Sequence, residues 1–112
     1  RSRVVVQSLV ARMQREFSRP LELAQLAEES GLNSSYLSSV FAREVGVPFR
    51  AYLTVLRLQH AQKLLADPHC RVAEIAGRVG YASAHRFRAA FREWTGMAPG
   101  RWRAVMRGRG ET

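Results

Sequence analysis

An internal repeat is the feature that most restricts the fold of this chain: a pattern of apolar residues and glycines recurs after 49 or 50 positions. The matching positions are Ala27 with Ala76, Gly31 with Gly80, Leu37 with Phe87, Phe41 with Phe91, Gly46 with Gly96, and Tyr52 with Trp102. The separation grows by one after the glycine of the turn, so the second copy carries one inserted residue. A chain of 112 residues with such a repeat is expected to form two small, similar units.

Each copy predicts a helix, a tight turn and a second helix. In the first copy, the apolar residues within 23–27 are spaced as one helix face. Gly31 follows where a helix ends in a left-handed residue, a conformation that glycine adopts without strain. Asn33 or Ser34 can then cap the second helix by accepting its free backbone N–H groups. Ser83 takes the capping position in the second copy.

The segments outside the repeat are also helical in pattern. Residues 6–17 place apolar side chains at helical spacing, which predicts an N-terminal helix packed on the first copy. The sequence therefore predicts an all-α fold of about seven helices, with two helix-turn-helix subdomains joined by a long linker helix. The predicted divisions are 1–47 for the N-terminal helix and first subdomain, 48–67 for the linker helix, 68–104 for the second subdomain and 105–112 for a mobile tail.

The charge is strongly positive and unevenly distributed. Eighteen basic and nine acidic residues give a formal net charge of +9. Nine of the basic residues and three of the acidic ones fall within residues 71–112. A small domain of this charge attracts polyanions, of which nucleic acid and anionic lipid are the main candidates. The charge alone does not choose between these two partners.

The second helix of each copy is predicted to be amphipathic. At about 100° per residue, Phe87, Phe91 and Trp94 fall on one side of the helix in the second copy, which predicts a buried aromatic stripe. The opposite side and the flanks carry His85, Arg86, Arg88, Ala89 and Arg92. The corresponding outward residues of the first copy are Ser35, Ser38, Ser39, Ala42 and Arg43.

Small polar and arginine side chains on such a helix favour binding in a DNA major groove. The groove is about 12 Å wide and admits one helix, and short side chains allow close approach. The predicted linker of about 18 helical residues has a length of roughly 27 Å. This length approaches the roughly 34 Å between successive major grooves on one face of DNA. A single chain could therefore bind two adjacent grooves.

The segments "LAQLAEESGLNSSYLSSVFAREVGVPFRAYL", "RLQHAQKLL" and "EIAGRVGYASAHRFRAAFREWTGMAPGRWR" resemble the DNA-binding domain of the AraC/XylS family of bacterial transcription regulators. The resemblance runs from about Leu9 to Arg103 and is most specific in the second copy. It implies a homeodomain-like fold. It further implies that a monomeric domain docks both second helices in successive major grooves and contacts RNA polymerase at promoters. It also implies a separate N-terminal effector or dimerisation domain in the full-length protein. The absence of an initial methionine agrees with an excised piece of a longer chain.

Two groups of residues are candidates for contact with DNA. The base-reading candidates, which match base-reading positions of the family, are Ser35, Ser38, Ser39, His85, Arg88 and Ala89. Arg88 and His85 are assigned to base edges, since arginine can donate two parallel hydrogen bonds to guanine. The phosphate candidates are Ser34, Arg43, Ser83, Arg86, Arg92, Arg101 and Arg103. The alternatives are phosphate contact alone for Arg88 and His85, close packing without discrimination for the serines, and a merely solvated surface for the arginines.

Other classes of function receive little support from the sequence. No nucleophile–base set, paired carboxylates or glycine-rich phosphate loop occurs, so we expect neither an enzyme nor a cofactor. His69 and Cys70 lack a second pair at metal-ligand spacing, which disfavours a zinc site. The alternative function is a helical protein-interaction or basic surface-binding module without sequence-specific DNA recognition. Acidic or apolar outward faces would favour that alternative, and the outward faces here are serine and arginine.

The cysteine content and hydropathy bear on the compartment. With Cys70 as the single cysteine, no internal disulfide forms, and a reducing cytoplasm is the simplest location. No apolar run approaches the roughly 20 residues that span a bilayer. No signal-peptide pattern occurs at the start of the chain. These features predict no membrane association. The outward faces of the two helices predict double-stranded DNA as the partner.

Overall fold

The computed structural model describes residues 2–110, with side chains described through residue 108. Within this range the chain forms seven α-helices and no β-strand, which confirms the predicted all-α fold. The helices are α1 (Ser2–Glu16), α2 (Leu23–Glu29), α3 (Ser34–Val45), α4 (Phe49–Leu65), α5 (Val72–Arg78), α6 (Ala84–Thr95) and α7 (Pro99–Gly110). No helix among the described residues has the length and apolar character needed to cross a membrane.

The chain divides into two units, Arg1–Leu56 (unit 1) and Arg57–Thr112 (unit 2). The linker helix predicted at 48–67 corresponds to α4, and the division between the two units falls inside this helix. The reason is that α4 supplies apolar side chains to both units. Phe49 and Leu53 belong to the core of unit 1, while Leu58 is buried in unit 2.

The core of unit 1 is built from α1, α2, α3 and the first turns of α4. Its buried residues are Val6, Leu9, Met13, Leu26, Ala27, Leu37, Val40, Phe41, Phe49 and Leu53. The predicted packing of the N-terminal helix on the first copy is thereby confirmed. Ala27 is buried, as expected where two helices approach closely, and Phe17 packs on the core just beyond the end of α1.

The core of unit 2 is centred on aromatic rings from α6. Phe87 and Phe91 are fully buried and lie 5.7 Å apart between ring centroids. Tyr81 lies 5.7 Å from Phe87, and Trp102 of α7 packs edge-on against Phe91 at 5.9 Å. Full burial of such a ring stabilises the fold by about 1.5–3 kcal/mol relative to exposure. This cluster therefore fixes α6 with one side turned inward.

Trp94 does not follow the prediction of a continuous buried stripe. Its side chain is 39% exposed, although its helical spacing places it on the same side as Phe87 and Phe91. Trp94 lies in the last turn of α6, beyond the ring cluster that Tyr81 and Trp102 complete. Helical periodicity shows which side of a helix is apolar, but it does not show how far along that side the core extends.

The C-terminal helix is longer than the sequence predicts. Residues 105–110, assigned to a mobile tail, continue α7 as a helix to Gly110. Val105 and Met106 are half-buried, so the apolar contacts of α7 extend past residue 104. The last two positions of the predicted tail lie outside the described residues.

Candidate nucleic-acid interface

The start of α3 is fixed by local features of the sequence. The chain leaves α2 through Gly31, whose φ of +69° lies in the left-handed region that favours glycine. The Asn33 side chain accepts hydrogen bonds from the backbone N–H groups of Ser35 at 2.8 Å and Tyr36 at 3.1 Å. Asn33 is therefore the cap, and Ser34 is the first residue of the helix.

The inward side of α3 anchors the helix in unit 1. Leu37, Val40 and Phe41 are buried. The Phe41 ring packs edge-on against Phe49 at 5.7 Å and against Tyr52 at 5.9 Å between centroids. Because these contacts hold one side of α3 inward, its opposite side faces solvent.

The outward side of α3 carries every site residue that the sequence assigns to it. These exposed residues are Ser34, Ser35, Ser38, Ser39 and Arg43. Four of them are serines, whose short side chains would let a groove edge approach the helix closely. The Nε atom of Arg43 lies 3.9 Å from Glu44, an exposed pair of little energetic value. The Arg43 guanidinium can therefore exchange this contact for an external anion.

The corresponding features of unit 2 position α6. Gly80, with φ +104°, ends the turn after α5. The Ser83 hydroxyl oxygen accepts a hydrogen bond from the Arg86 backbone N–H at 3.1 Å, which confirms the predicted cap. The hydroxyl proton of Ser83 can still be donated to an external acceptor. With Phe87 and Phe91 buried, the remaining sides of α6 face solvent.

The outward side of α6 lines an open depression of about 530 Å³. Its lining residues are His85, Arg88, Ala89, Arg92, Glu93 and, from the turn before α7, Ala98. All of them are exposed. The structure thus brings the three base-reading candidates of the second copy together on one surface. Ala89, with only a methyl group, keeps the middle of that surface open.

The arginines of α6 are not neutralised within the protein. Among the residues that the structure describes, Arg86, Arg88 and Arg92 form no ion pair. Arg12 of α1 behaves differently, since its guanidinium lies 2.8 Å from the Glu29 carboxylate. That hydrogen bond is the main cause that raises the pKa of Arg12 above its ordinary value. The positive charge of α6 therefore remains available to an external polyanion.

The two arginines at the start of α7 have different surroundings. Arg101 is exposed. The Arg103 guanidinium donates to the backbone carbonyls of Leu65 at 2.9 Å, Asp67 at 3.1 Å and Cys70, and so fastens α7 to the turn before α5. The Nε and Nη2 groups of Arg103 thus donate to backbone oxygens, and its Nη1 group remains for the DNA phosphate that the sequence predicts. The backbone partners of Arg103 lie more than 30 positions earlier in the chain, so helical spacing gives no sign of this contact.

Sequence reasoning missed two exposed charges beside the candidate residues. Arg50, in the first turn of α4, lines a depression of about 260 Å³ together with Ser38. Glu93 shares the depression of α6 with Arg88. The sequence does contain one signal that places Glu93 on the candidate surface, namely its spacing of four residues from Ala89 on the same helix. Arg50 lies outside the second helix of its copy, so the helix pattern does not point to it.

The adjacent His69 and Cys70 belong to no metal site in the described part of the chain. No group of three or more His, Cys, Asp or Glu side chains there is placed to hold a metal ion. Cys70 is buried, and its Sγ atom lies 3.6 Å from a guanidinium nitrogen of Arg78. Cys70 therefore belongs to the packing of the turn before α5, whereas His69 is exposed.

The fold and the exposed faces define a class of protein. Each unit contains a helix-turn-helix, and each presents the solvent-facing side of the second helix, which is the DNA-reading element of that motif. A family model described as a helix-turn-helix domain matches residues 26–104. The chain is thus a DNA-binding domain with two helix-turn-helix motifs.

Two curated relatives of this chain are transcription regulators by name. The melibiose operon regulatory protein of Escherichia coli K12 is 29% identical over 96 residues, which are 86% of this chain and 32% of that protein. The transcriptional activator RhaR of Klebsiella pneumoniae is 31% identical over 99 residues, which are 88% of this chain and 35% of that protein. The chain spans about a third of the length of these relatives.

Two solved structures agree with this assignment. The C-terminal domain of AraT, a response regulator from Geobacillus stearothermophilus, has a TM-score of 0.86 at 33% identity, over 90% of this chain and 84% of that one. The DNA-binding domain of AdpA, in complex with a target DNA, has a TM-score of 0.86 at 27% identity, over 93% of this chain and 94% of that one. The chain belongs to the AraC/XylS family of helix-turn-helix transcription regulators, which are DNA-binding proteins and not enzymes.

Proposed function

We propose that this domain directs a transcription regulator to a specific DNA sequence by placing α3 and α6 in successive major grooves. The observation that carries the proposal is the outward side of α6. There, exposed arginines without internal acidic partners lie beside His85 and Ala89, on the second helix of a helix-turn-helix. The equivalent side of α3 offers a row of exposed serines.

Binding as a monomer is part of the proposal. The 17 residues of α4 give a length of roughly 26 Å. Successive major grooves are roughly 34 Å apart on one face of the duplex. To occupy both grooves, α3 and α6 must match this spacing. Two motifs in one chain supply two half-site contacts without a second subunit.

The contacts are proposed to divide between bases and phosphates. Arg88 and His85 read base edges, and Ser35, Ser38 and Ser39 contact bases across a closely approached groove. Ala89 permits that approach on α6. The phosphate contacts come from Ser34, Arg43, Arg50, Ser83, Arg86, Arg92, Arg101 and Arg103, which fix the register of the helices without reading sequence.

The full-length regulator is proposed to act at promoters in the cytoplasm. There it contacts RNA polymerase, and it dimerises through a further domain that responds to an effector. These statements rest on family membership and on the relatives' greater length. A two-hybrid assay of the full-length protein against subunits of RNA polymerase tests the proposed contact with the polymerase.

Selection of bound duplexes from a random pool tests sequence-specific binding. The proposal expects enrichment of a site with two short half-sites whose centres are about one helical turn apart. A protein-interaction module, or a basic surface that binds any polyanion, would enrich no sequence. Either result decides between the proposed function and the alternative.

Substitution of Arg88 tests its assignment to a base edge. Arg88→Ala is expected to weaken binding to the selected site by about 1–3 kcal/mol and to relax preference at one base pair, because a bidentate contact to guanine is lost. Fluorescence anisotropy with the selected duplex and its single-base variants measures both effects. Arg15→Ala removes an exposed arginine of α1 outside the proposed interface and serves as the matched control. An equal loss on selected and random duplex would make Arg88 a phosphate contact instead.

A further inference from the structure

We propose that Glu93 is a specificity-determining residue that accepts a hydrogen bond from the exocyclic amino group of a cytosine. The cytosine lies in the half of the DNA site that α6 contacts. This inference rests on the proposed function, and it adds an acidic reader to a surface otherwise described by its arginines.

The position of Glu93 places its carboxylate where bases would lie. Glu93 is exposed and lines the same depression as His85, Arg88 and Ala89. It follows Ala89 by four residues and His85 by eight, so the three stand in one row, with successive members about 6 Å apart along the helix. The methyl group of Ala89 does not screen the carboxylate from a ligand on this face.

The carboxylate of Glu93 also lacks an internal partner. In the part of the chain that the structure describes, it forms neither a hydrogen bond nor an ion pair. An ionised carboxylate only accepts hydrogen bonds, and phosphate oxygens repel it. On a helix that binds DNA, such a group weakens binding unless it meets a hydrogen-bond donor. The donors at base edges in the major groove are the amino groups of cytosine and adenine.

The two possible bases differ in what lies beside the amino group. Adenine presents the N7 acceptor next to its N6 amino group, whereas cytosine presents the N4 amino group alone. The second oxygen of a carboxylate therefore meets an acceptor on either side of the adenine amino group, N7 or the O4 of the paired thymine. Beside the cytosine amino group it can lie against the C5–H, away from the O6 of the paired guanine. This difference favours cytosine.

The internal repeat shows that an acid is not required at this position by the fold. The residue 50 positions before Glu93 is Arg43, which occupies the same place on α3. Both helices fold with opposite charges there, and both residues are exposed. Because phosphate oxygens repel a carboxylate, Glu93 cannot make the phosphate contact proposed for Arg43, so the two units would use this position differently.

Parallel selections from a random duplex pool test the proposal with the wild-type domain, Glu93→Gln and Glu93→Ala. Glu28→Ala, which removes an exposed acid of α2, is the control for charge alone. The wild type and Glu28→Ala should require cytosine at one position, with a preference of at least about fivefold over other bases. Glu93→Gln should change that preference to adenine, since a glutamine amide pairs with N6 and N7 of adenine. Glu93→Ala should accept all four bases there and bind random duplex more tightly.

The outcomes separate this inference from the proposed function. A wild-type domain that enriches no sequence overturns both. A wild-type domain that enriches a sequence, with the same cytosine preference in both Glu93 variants, overturns only the role of Glu93. A wild-type preference for adenine that is lost in Glu93→Ala overturns the assignment to cytosine.

Discussion

Phe91→Ala is expected to lower the free energy of unfolding by about 3–5 kcal/mol. The Phe91 ring is fully buried in unit 2 and packs against Phe87 and Trp102. Its removal eliminates the contacts of a whole ring and leaves a cavity that its aromatic neighbours cannot fill without moving. Urea denaturation followed by circular dichroism measures the loss. DNA binding should fall with it, because α6 depends on this cluster for its orientation.

Trp94→Ala is the matched control for this prediction. Trp94 belongs to the same helix and the same side in the sequence pattern, but its side chain is 39% exposed. Trp94→Ala should therefore lower the free energy of unfolding clearly less than Phe91→Ala does, although it removes a larger ring. Equal losses for the two variants, or a loss below about 1 kcal/mol for Phe91→Ala, would show that the Phe91 cluster does not hold α6.

Raising the salt concentration from 50 to 200 mM is expected to weaken DNA binding about a thousandfold. Neutralisation of about six phosphates by the exposed arginines gives a slope near −5 for log K against log salt. The binding constant falls as the salt concentration rises because binding releases counterions from the duplex. Anisotropy titrations at several salt concentrations measure the slope. A slope shallower than about −2 would be incompatible with arginine contacts from both units.

The same titrations assign the slope to particular side chains. Each of Arg86→Ala and Arg92→Ala should reduce its magnitude by about one, because each removes one phosphate contact. Ser38→Ala should leave the slope unchanged, since a hydroxyl group releases no counterion. A slope that responds to the serine and not to the arginines would reverse the assignment of roles.

The two units should contribute unequally to this electrostatic binding. Unit 1 contains seven basic and five acidic residues, whereas unit 2 contains eleven and four. The outward side of α3 is mostly serine, and that of α6 carries arginines without internal partners. We therefore expect unit 2 to supply most of the affinity, and unit 1 to depend on close shape complementarity.

The sequence predicts the helices and their ends well because local chemistry determines them. Gly31 and Gly80 adopt positive φ where the repeat places them, and Asn33 and Ser83 cap the helices that follow. The outward position of the base-reading candidates follows from the periodicity of a helix whose opposite side is buried. Such features depend on residues within one or two turns of each other.

Features set by contacts between distant segments could not be predicted in this way. Arg103 resembles a free surface charge in the sequence, but it binds the carbonyls of a turn formed far earlier in the chain. Trp94 continues an apolar stripe, but the core ends before it. Arg50 comes near Ser38 only because α4 begins where α3 ends. Each outcome depends on tertiary packing, which periodicity does not encode.

Insertion of base pairs between the two half-sites of the selected duplex tests whether α3 and α6 occupy successive major grooves. With α4 as a helix of fixed length, five added base pairs rotate one half-site by about half a turn and should reduce affinity to that of a single half-site. Ten added base pairs restore the face but double the distance, and should not restore binding. Unchanged affinity after the five-base-pair insertion would contradict simultaneous binding of both helices.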